Sequence, residues 1–178
     1  MPSRDNPALP WERVCSHLLV VKPDPKPVFS YRDDPAVPAF DDAVPLTVMD
    51  GDCAVCTLGA RMISRFDRTG EIRICPGSTP LGRALLAHYG INPDEPESWL
   101  YLIDGQAYTS IDAMVRVGRR CGGVGWALQV LRIFPRVVQD WLYARLVRNR
   151  YRWFGHADMC AVPDARLRAR LMSGEPRC

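Results

Sequence analysis

No stretch of the 178-residue chain approaches the roughly 20 uninterrupted apolar residues that a membrane-spanning helix requires; the early run from Leu18 to Val21 holds only four. A spanning segment is excluded on that ground. The N-terminus, which carries Asp5 and Glu12, has no apolar stretch followed by a small-residue cleavage site, so it does not read as a secretory signal. The expectation is a cytoplasmic chain with thiols mostly reduced. No Gly-x-Gly-x-x-Gly or phosphate-binding loop occurs, so no flavin, nucleotide or other cofactor is expected. A disulfide framework is also lacking: the seven cysteines are odd in number, and Cys15, Cys75, Cys121, Cys160 and Cys178 stand singly. There is no internal repeat.

What is present suits one packed domain, since 47% of the residues are hydrophobic. Charge is divided unevenly. Residues 1–114 hold 10 Lys and Arg against 16 Asp and Glu, whereas residues 115–178 hold 13 Arg against 4 Asp and Glu. A basic C-terminal third could face nucleic acid, an acidic partner or a membrane surface; arginines solvating the outer faces of helices is the simpler reading.

Eight prolines between Pro2 and Pro38 deny regular helix and central strand alike, so residues 1–44 read as a mostly irregular N-terminal arm. The folded core is expected over 45–123. Leu46-Thr47-Val48-Met49 is a strand entering the Asp50-Gly51-Asp52 turn, after which Cys56, Gly59, Ala60, Ile63 and Phe66 recur at helical spacing. Asp52 or Cys53 would cap that helix. Glu71 to Cys75 alternates as a strand, Thr79-Pro80 opens a second helix to Tyr89, and Trp99 to Ile103 turns through Asp104-Gly105 into a hairpin. Ser110 would then cap a third helix, ended by Gly122-Gly123. The order β-α-β-α-β-β-α is that of a thioredoxin-like α/β sandwich. Residues 124–172 read as a C-terminal helical extension of the same domain, and 173–178 as a tail. In the extension, helices over Val124 to Phe134 and Arg136 to Arg150 are expected to cap the core, the second through a stripe of Val138, Leu142 and Leu146.

Only Cys53 and Cys56 stand close together. Two sulfurs three residues apart on a first helical turn can close a small ring, and the unpaired N–H groups and dipole there favour a thiolate. Cys53 is the expected nucleophile; Cys56, on the stripe of Ala60 and Ile63, is expected to be more buried and to resolve the mixed disulfide. Asp50 and Asp52 are candidate proton-transfer groups that would also oppose the Cys53 thiolate, with turn and cap roles as their plainer alternatives. They would leave a pair that favours reducing its targets.

The run Asp50-Gly51-Asp52-Cys53-Ala54-Val55-Cys56 resembles the signature of the DCC family of predicted thiol-disulfide oxidoreductases. Ile72-Arg73-Ile74 with its proline, Gly82 to Leu86, and Asn149-Arg150-Tyr151-Arg152-Trp153-Phe154-Gly155 with Cys160 behind it extend the likeness over roughly Pro45 to Leu171. The resemblance implies a thioredoxin-like domain and redox activity at the two cysteines. Two thioredoxin features are missing: Ser98 stands where a cis proline precedes the third strand, and the aromatic-Cys-Gly-Pro-Cys sequence is absent. The expected activity is dithiol–disulfide exchange with a protein or low-molecular-weight thiol, served by a separate reductant.

Rival readings remain open at this point. Cys53, Cys56, His156 and Cys160 have spacings that a structural zinc site tolerates, which would make the protein an interaction module. Cys160 could be a third redox thiol, while Cys75 and Cys121 read as packed residues. The Arg-Asn-Arg-Tyr-Arg-Trp-Phe run is too short for a nucleic-acid platform; its aromatics are expected under the cap with its arginines outward. Val124 to Val147, apolar with interspersed arginines, also suits weak association with a membrane surface.

Overall fold

A computed structural model describes residues 25–161 and 164–172. Within them lie strands β1 (Leu46–Met49), β2 (Arg73–Pro76), β3 (Leu100–Ile103) and β4 (Gln106–Thr109). The α-helices are α1 (Ala54–Phe66), α2 (Pro80–His88), α3 (Ser110–Cys121), α4 (Arg136–Phe154) and α5 (Ala165–Arg168). The sheet order is β2-β1-β3-β4, with β1 parallel to β2 and antiparallel to β3. This is the thioredoxin-like arrangement with a C-terminal helix. It places the end of β1, and therefore the start of α1, at the middle of the sheet.

Period-two alternation splits the sheet residues between two cores. Met49, Ile74 and Tyr101 pack with Ala60 and Ile63 of α1 and Val117 of α3. Leu46, Val48, Cys75, Leu100 and Leu102 pack on the other face with Leu85 and Leu86 of α2. Helix α2 starts as its sequence predicts: Gly82 N donates to Thr79 Oγ1 at 3.1 Å and Pro80 occupies the first turn. Only glycine fits at Gly82, because a Cβ there would stand 2.3 Å from the Pro76 carbonyl oxygen. Asp104 (φ 50°) and Gly105 (φ 72°) make the hairpin turn that the sequence announces.

Several expectations change in detail. Leu18 to Val21 lie outside the described residues, but the later part of the arm packs rather than trails. Tyr31 is 3% exposed against the α2 face, joined by Phe40, and Phe29 N donates to Gly105 O at 3.0 Å. The proline-rich segment holds one short 3-10 turn, Ser30–Asp33, which carries the buried Tyr31. Thr109, not Ser110, is the cap residue of α3, and Ser110 N is held by Ser98 Oγ at 3.0 Å.

The stretch expected as a helix over Val124 to Phe134 is a 3-10 segment, Gly123–Ile133. Its glycines let it close on α3, where a Cβ on Gly125 would meet Gly118 O at 2.5 Å. Helix α4 runs on past Arg150 and keeps only part of the predicted stripe: Leu146 is half-buried, but Val138 and Leu142 are exposed, while Tyr143 and Arg150 are buried. In the arginine-aromatic run Arg148 and Arg152 face outward as expected, but Arg150 turns inward and Trp153 and Phe154 are exposed rather than under the cap.

Beyond α4 the chain returns to the core. Ile74 N donates to Arg170 O at 2.9 Å and Met172 N to Ile74 O at 2.8 Å, so the C-terminal segment lines the free edge of β2.

Candidate functional site

Strand β1 ends in a turn locked by its own side chain, where Asp52 N donates to Asp50 Oδ1 at 3.0 Å. The turn delivers Cys53, with extended backbone (φ −96°, ψ 122°), to the N-cap of α1. Cys53 rather than Asp52 is therefore the cap residue, and Asp52 is exposed. Cys56 follows one turn later, and both thiols are free.

The hydrogen bond from the Cys56 thiol is the main force lowering the Cys53 thiol to about 6. Burial works against it, and the N–H groups of Cys56 and Val55 and the charge of Arg150 assist. Cys56 moves the opposite way: its bond to Cys53, its burial and the nearby Asp50 carboxylate all push it up. The shifts act in opposite directions, favouring thiolate on Cys53 and thiol on Cys56 above about pH 6. Asp50 was expected to oppose the Cys53 thiolate; instead it is neutralised by a partner from α4. Arg150 Nη2 donates to Asp50 Oδ2 at 2.8 Å, Nη1 donates to Pro96 O at 2.8 Å, and the Tyr151 hydroxyl also donates to Asp50. Burial and that bond to Asp50 push the Tyr151 hydroxyl up to about 12, so it keeps its proton.

The residues after α4 form a strap across the cysteine turn. Gly155 ends the helix at φ 75° and ψ −166°, a conformation open essentially to glycine alone. The chain then runs antiparallel to the turn. Ala54 N donates to Gly155 O at 3.3 Å, Ala157 N to Asp52 O at 3.1 Å, and Met159 N to Gly51 O at 2.8 Å, while Cys53 pairs with His156. This strap reverses the expected accessibility. Cys53 is 0% exposed, whereas Cys56 is only partly buried.

Cys56 lies in the wall of an apolar cleft of about 270 Å³ between α1, α3, the 3-10 segment and α4. Its lining includes Val55, Met62, Trp99, Leu128, Leu146 and Val147, with Arg150 and Asp50 at one end. Ser98, which replaces the cis proline of thioredoxins, lines it too, held by Tyr143 at 3.1 Å between hydroxyls. Among the described residues there is no cis peptide bond.

The four residues of the zinc reading do not converge. His156 adjoins Cys53 through the backbone, but its ring stacks on Tyr151 with centroids 4.6 Å apart, and Cys160 is disulfide-bonded. Among the described residues no three His, Cys, Asp or Glu side chains are grouped as a metal site. The disulfide likewise removes Cys160 as a free third thiol. Cys75 and Cys121 are buried, and burial pushes both thiols up, Cys121 to about 11.

The site therefore combines the turn 50–56 with residues 150–159, a hundred positions away. These are the two motifs that the family pattern joins, and the family model for DCC1-like thiol-disulfide oxidoreductases matches residues 47–156. The chain belongs to that family. YuxK of Bacillus subtilis is 32% identical over 126 residues, covering 70% of this chain and 91% of its own length. A chloroplastic DCC family protein of Arabidopsis thaliana is 28% identical over 123 residues, covering 68% of this chain and 72% of its own. No solved structure matches. Among the described residues of this DCC family member, no helix is long and apolar enough to cross a membrane.

Sequence reasoning placed Cys53, Cys56, Asp50 and Asp52 in one turn, and the structure brings them together. It missed Arg150, which it turned outward, and the strap. The signal was Gly155 directly after a helix: a glycine there announces a reversal, and the reversal leads back to the turn.

Proposed function

We propose that Cys53 and Cys56 are a redox pair that cycles between dithiol and disulfide by exchange with a protein or low-molecular-weight thiol substrate. The observation that carries this reading is the placement of two free cysteines on one helical turn, Cys53 at the N-cap of α1 and Cys56 three residues on, where the surroundings lower the Cys53 thiol to about 6 and raise that of Cys56. Exchange proceeds through a mixed disulfide, and the second cysteine displaces the substrate. Asp50 positions Arg150 beside the pair. Asp52 contributes its carbonyl to the strap, and its exposed carboxylate stays available to accept a proton. A separate partner resets the pair, and the setting is the cytoplasm. The lowered Cys53 thiol stabilises the reduced form, which favours oxidising the substrate over reducing it, contrary to the reducing poise that carboxylates at Asp50 and Asp52 predict.

Equilibration in glutathione buffers, with thiols counted at each ratio, tests this. Wild-type protein should lose two thiols together at a potential within the roughly −120 to −270 mV span of known exchangers, and Cys53→Ser should not. A pair that stays reduced across that range, or that oxidises without returning, overturns the proposal.

One further observation favours a second, compatible reading. Trp126, Ile133, Val137 and Trp141 are 64%, 78%, 79% and 47% exposed, with Arg132, Arg136 and Arg145 among them. Exposed apolar residues with arginines interleaved, Arg132 of them paired with Asp112, suit an anionic bilayer, whereas a second copy would bring arginine against arginine. Flotation with phosphatidylserine vesicles should carry the protein upward at low salt, and Val137→Glu with Trp141→Glu should abolish this. Absence of flotation at low salt rejects the reading.

A further inference from the structure

The exchange reading leaves open which sulfur meets the substrate and what kind of substrate reaches it. The two cysteines divide the requirements between them. Cys53 has the thiolate but is 0% exposed beneath the strap. Cys56 has the thiol and lines the apolar cleft. A substrate arriving through the cleft meets Cys56.

The cleft's composition limits what can arrive. Its walls are methionine, valine, leucine, phenylalanine and tryptophan side chains, and the charged groups at its end, Asp50 and Arg150, already neutralise each other. Glutathione, with two carboxylates and an ammonium, would have to strip its charges of water to enter, so it should equilibrate with the pair but more slowly than an apolar thiol of like acidity. About 270 Å³ holds a ring-sized group rather than a peptide segment.

A second observation agrees with this. Arg150, with its side chain 8% exposed, spends Nη1 and Nη2 on Pro96, Asp50 and Tyr151, and its Nε is buried out of reach. The charged end of the cleft therefore offers a ligand no open polar group.

We infer that the cleft is the substrate site, that it takes an apolar, ring-sized thiol or its disulfide, and that Cys56 forms the mixed disulfide. The inference rests on the exchange reading above. The steps balance. A substrate thiolate attacks Cys56 Sγ of the oxidised pair, forming a substrate–Cys56 bond while the Cys53–Cys56 bond breaks and Cys53 departs as thiolate. Cys53 is the better leaving group of the two, because leaving improves as the thiol becomes more acidic. A second substrate thiolate attacks the substrate sulfur of the mixed disulfide, releasing the substrate disulfide, and Cys56 takes up a proton. Two substrate thiols have become one disulfide, and the protein disulfide has become the dithiol. In reverse, Cys53 thiolate takes the Cys56 proton as Cys56 attacks a substrate disulfide and one substrate thiolate leaves; that thiolate takes the proton from Cys53, which then attacks Cys56 Sγ and expels the second substrate thiolate.

The probes are benzyl mercaptan and 2-mercaptoethanol, which have similar acidity and differ in the apolar ring. Oxidised wild-type protein should react with benzyl mercaptan about tenfold faster or more, the gain expected from burying a phenyl ring. Val147→Trp and, independently, Leu128→Trp should fill the cleft and bring the benzyl rate down to that of 2-mercaptoethanol, with unchanged circular dichroism. Exposed to the mixed disulfide of the two probes, Cys53→Ser should carry the benzyl group on Cys56 by mass spectrometry, and Cys56→Ser should carry none on Cys53.

Equal rates for the two thiols, or a benzyl group found on Cys53, overturn the inference. If the pair still cycles in glutathione buffers, the exchange reading survives that failure. If it does not cycle with any thiol, the exchange reading itself has failed.

Discussion

Helix α1 is clasped at both ends by an aspartate–arginine pair that reaches across a hundred residues, and the two clasps are built differently. At its C-terminal end Asp67 Oδ2 accepts Arg170 Nη1 at 2.5 Å and Ile72 N at 3.1 Å, and Oδ1 accepts Thr69 Oγ1 at 2.7 Å. Arg170 Nη2 adds a bond to Asp67 O at 2.9 Å. At its N-terminal end Asp50 and Arg150 are also joined, but Arg150 Nε is left without a partner and the pair borders a cleft. The saturated clasp is structure. The unsaturated one stands beside the two cysteines, where a fixed positive charge acts on a thiolate.

The largest contrast between them should appear in stability. Asp67→Ala leaves Arg170 as an uncompensated buried charge, and removing one partner of a buried pair costs about 3–5 kcal/mol. Denaturant unfolding should show that loss while the Cys53 thiolate still titrates at about 6. A loss below about 1 kcal/mol would mean that water reaches Arg170 and that this clasp is no tighter than a surface pair.

The sequence made some of this legible and hid the rest. Strand alternation, the Asp104-Gly105 turn and Thr79-Pro80 are local signals, read within a few residues of where they act, so the element order could be written down directly. Cys53 and Cys56 were legible for the same reason. Arg150 was not, because its partners Asp50 and Pro96 are brought to it by the fold. On α4 both faces carry apolar residues, so periodicity alone could not say whether Val138 and Leu142 or Tyr143 and Val147 turn inward. Prolines in the arm described its backbone faithfully but were silent about Tyr31 and Phe40 filling the α2 face.

The two ends should also answer to pH in different windows. Asp67 lies below the usual carboxylate range, because the bonds from Thr69, Arg170 and Ile72 outweigh the burial that pushes it up. Its contribution is present above the ordinary aspartate value near 3.9 and is lost only as the pH falls further. Cys53 lies below the ordinary thiol value, so between about pH 6 and 8 the unfolded chain holds the extra proton and the reduced protein gains stability as pH rises. The oxidised protein has no such thiol and should show no gain. Thermal melts of both forms at pH 6 and pH 8 decide it, and parallel curves would count against the lowered thiol.

A smaller effect should come from the strap that closes the open end. Gly155→Ala meets no atom within 4 Å of its new Cβ, so its cost is conformational, about 2 kcal/mol at that backbone geometry. Part of the cost can be relieved by lifting the strap off the turn. Alkylation of Cys53 should therefore quicken more than that of Cys56 in the same sample. Equal acceleration of both would indicate general loosening rather than release of the strap.

The smallest stability change, and the sharpest test of what the unsaturated clasp does, is Asp50→Asn. An amide oxygen still accepts from Arg150 Nη2, so about 1 kcal/mol should be lost, as for one weakened hydrogen bond. The charge balance changes more than the packing: the carboxylate that neutralised Arg150 is gone, and the guanidinium acts on Cys53 alone. The thiolate midpoint should then fall below about 6, and the pair should become more oxidising. The same substitution logic at the other end, Asp67→Asn, should leave the midpoint where it is, since Asp67 is separated from the cysteines by the length of α1. If Asp50→Asn raises the midpoint instead, the carboxylate orients Arg150 toward the sulfur more than it screens it, and the N-terminal clasp acts through geometry rather than through charge.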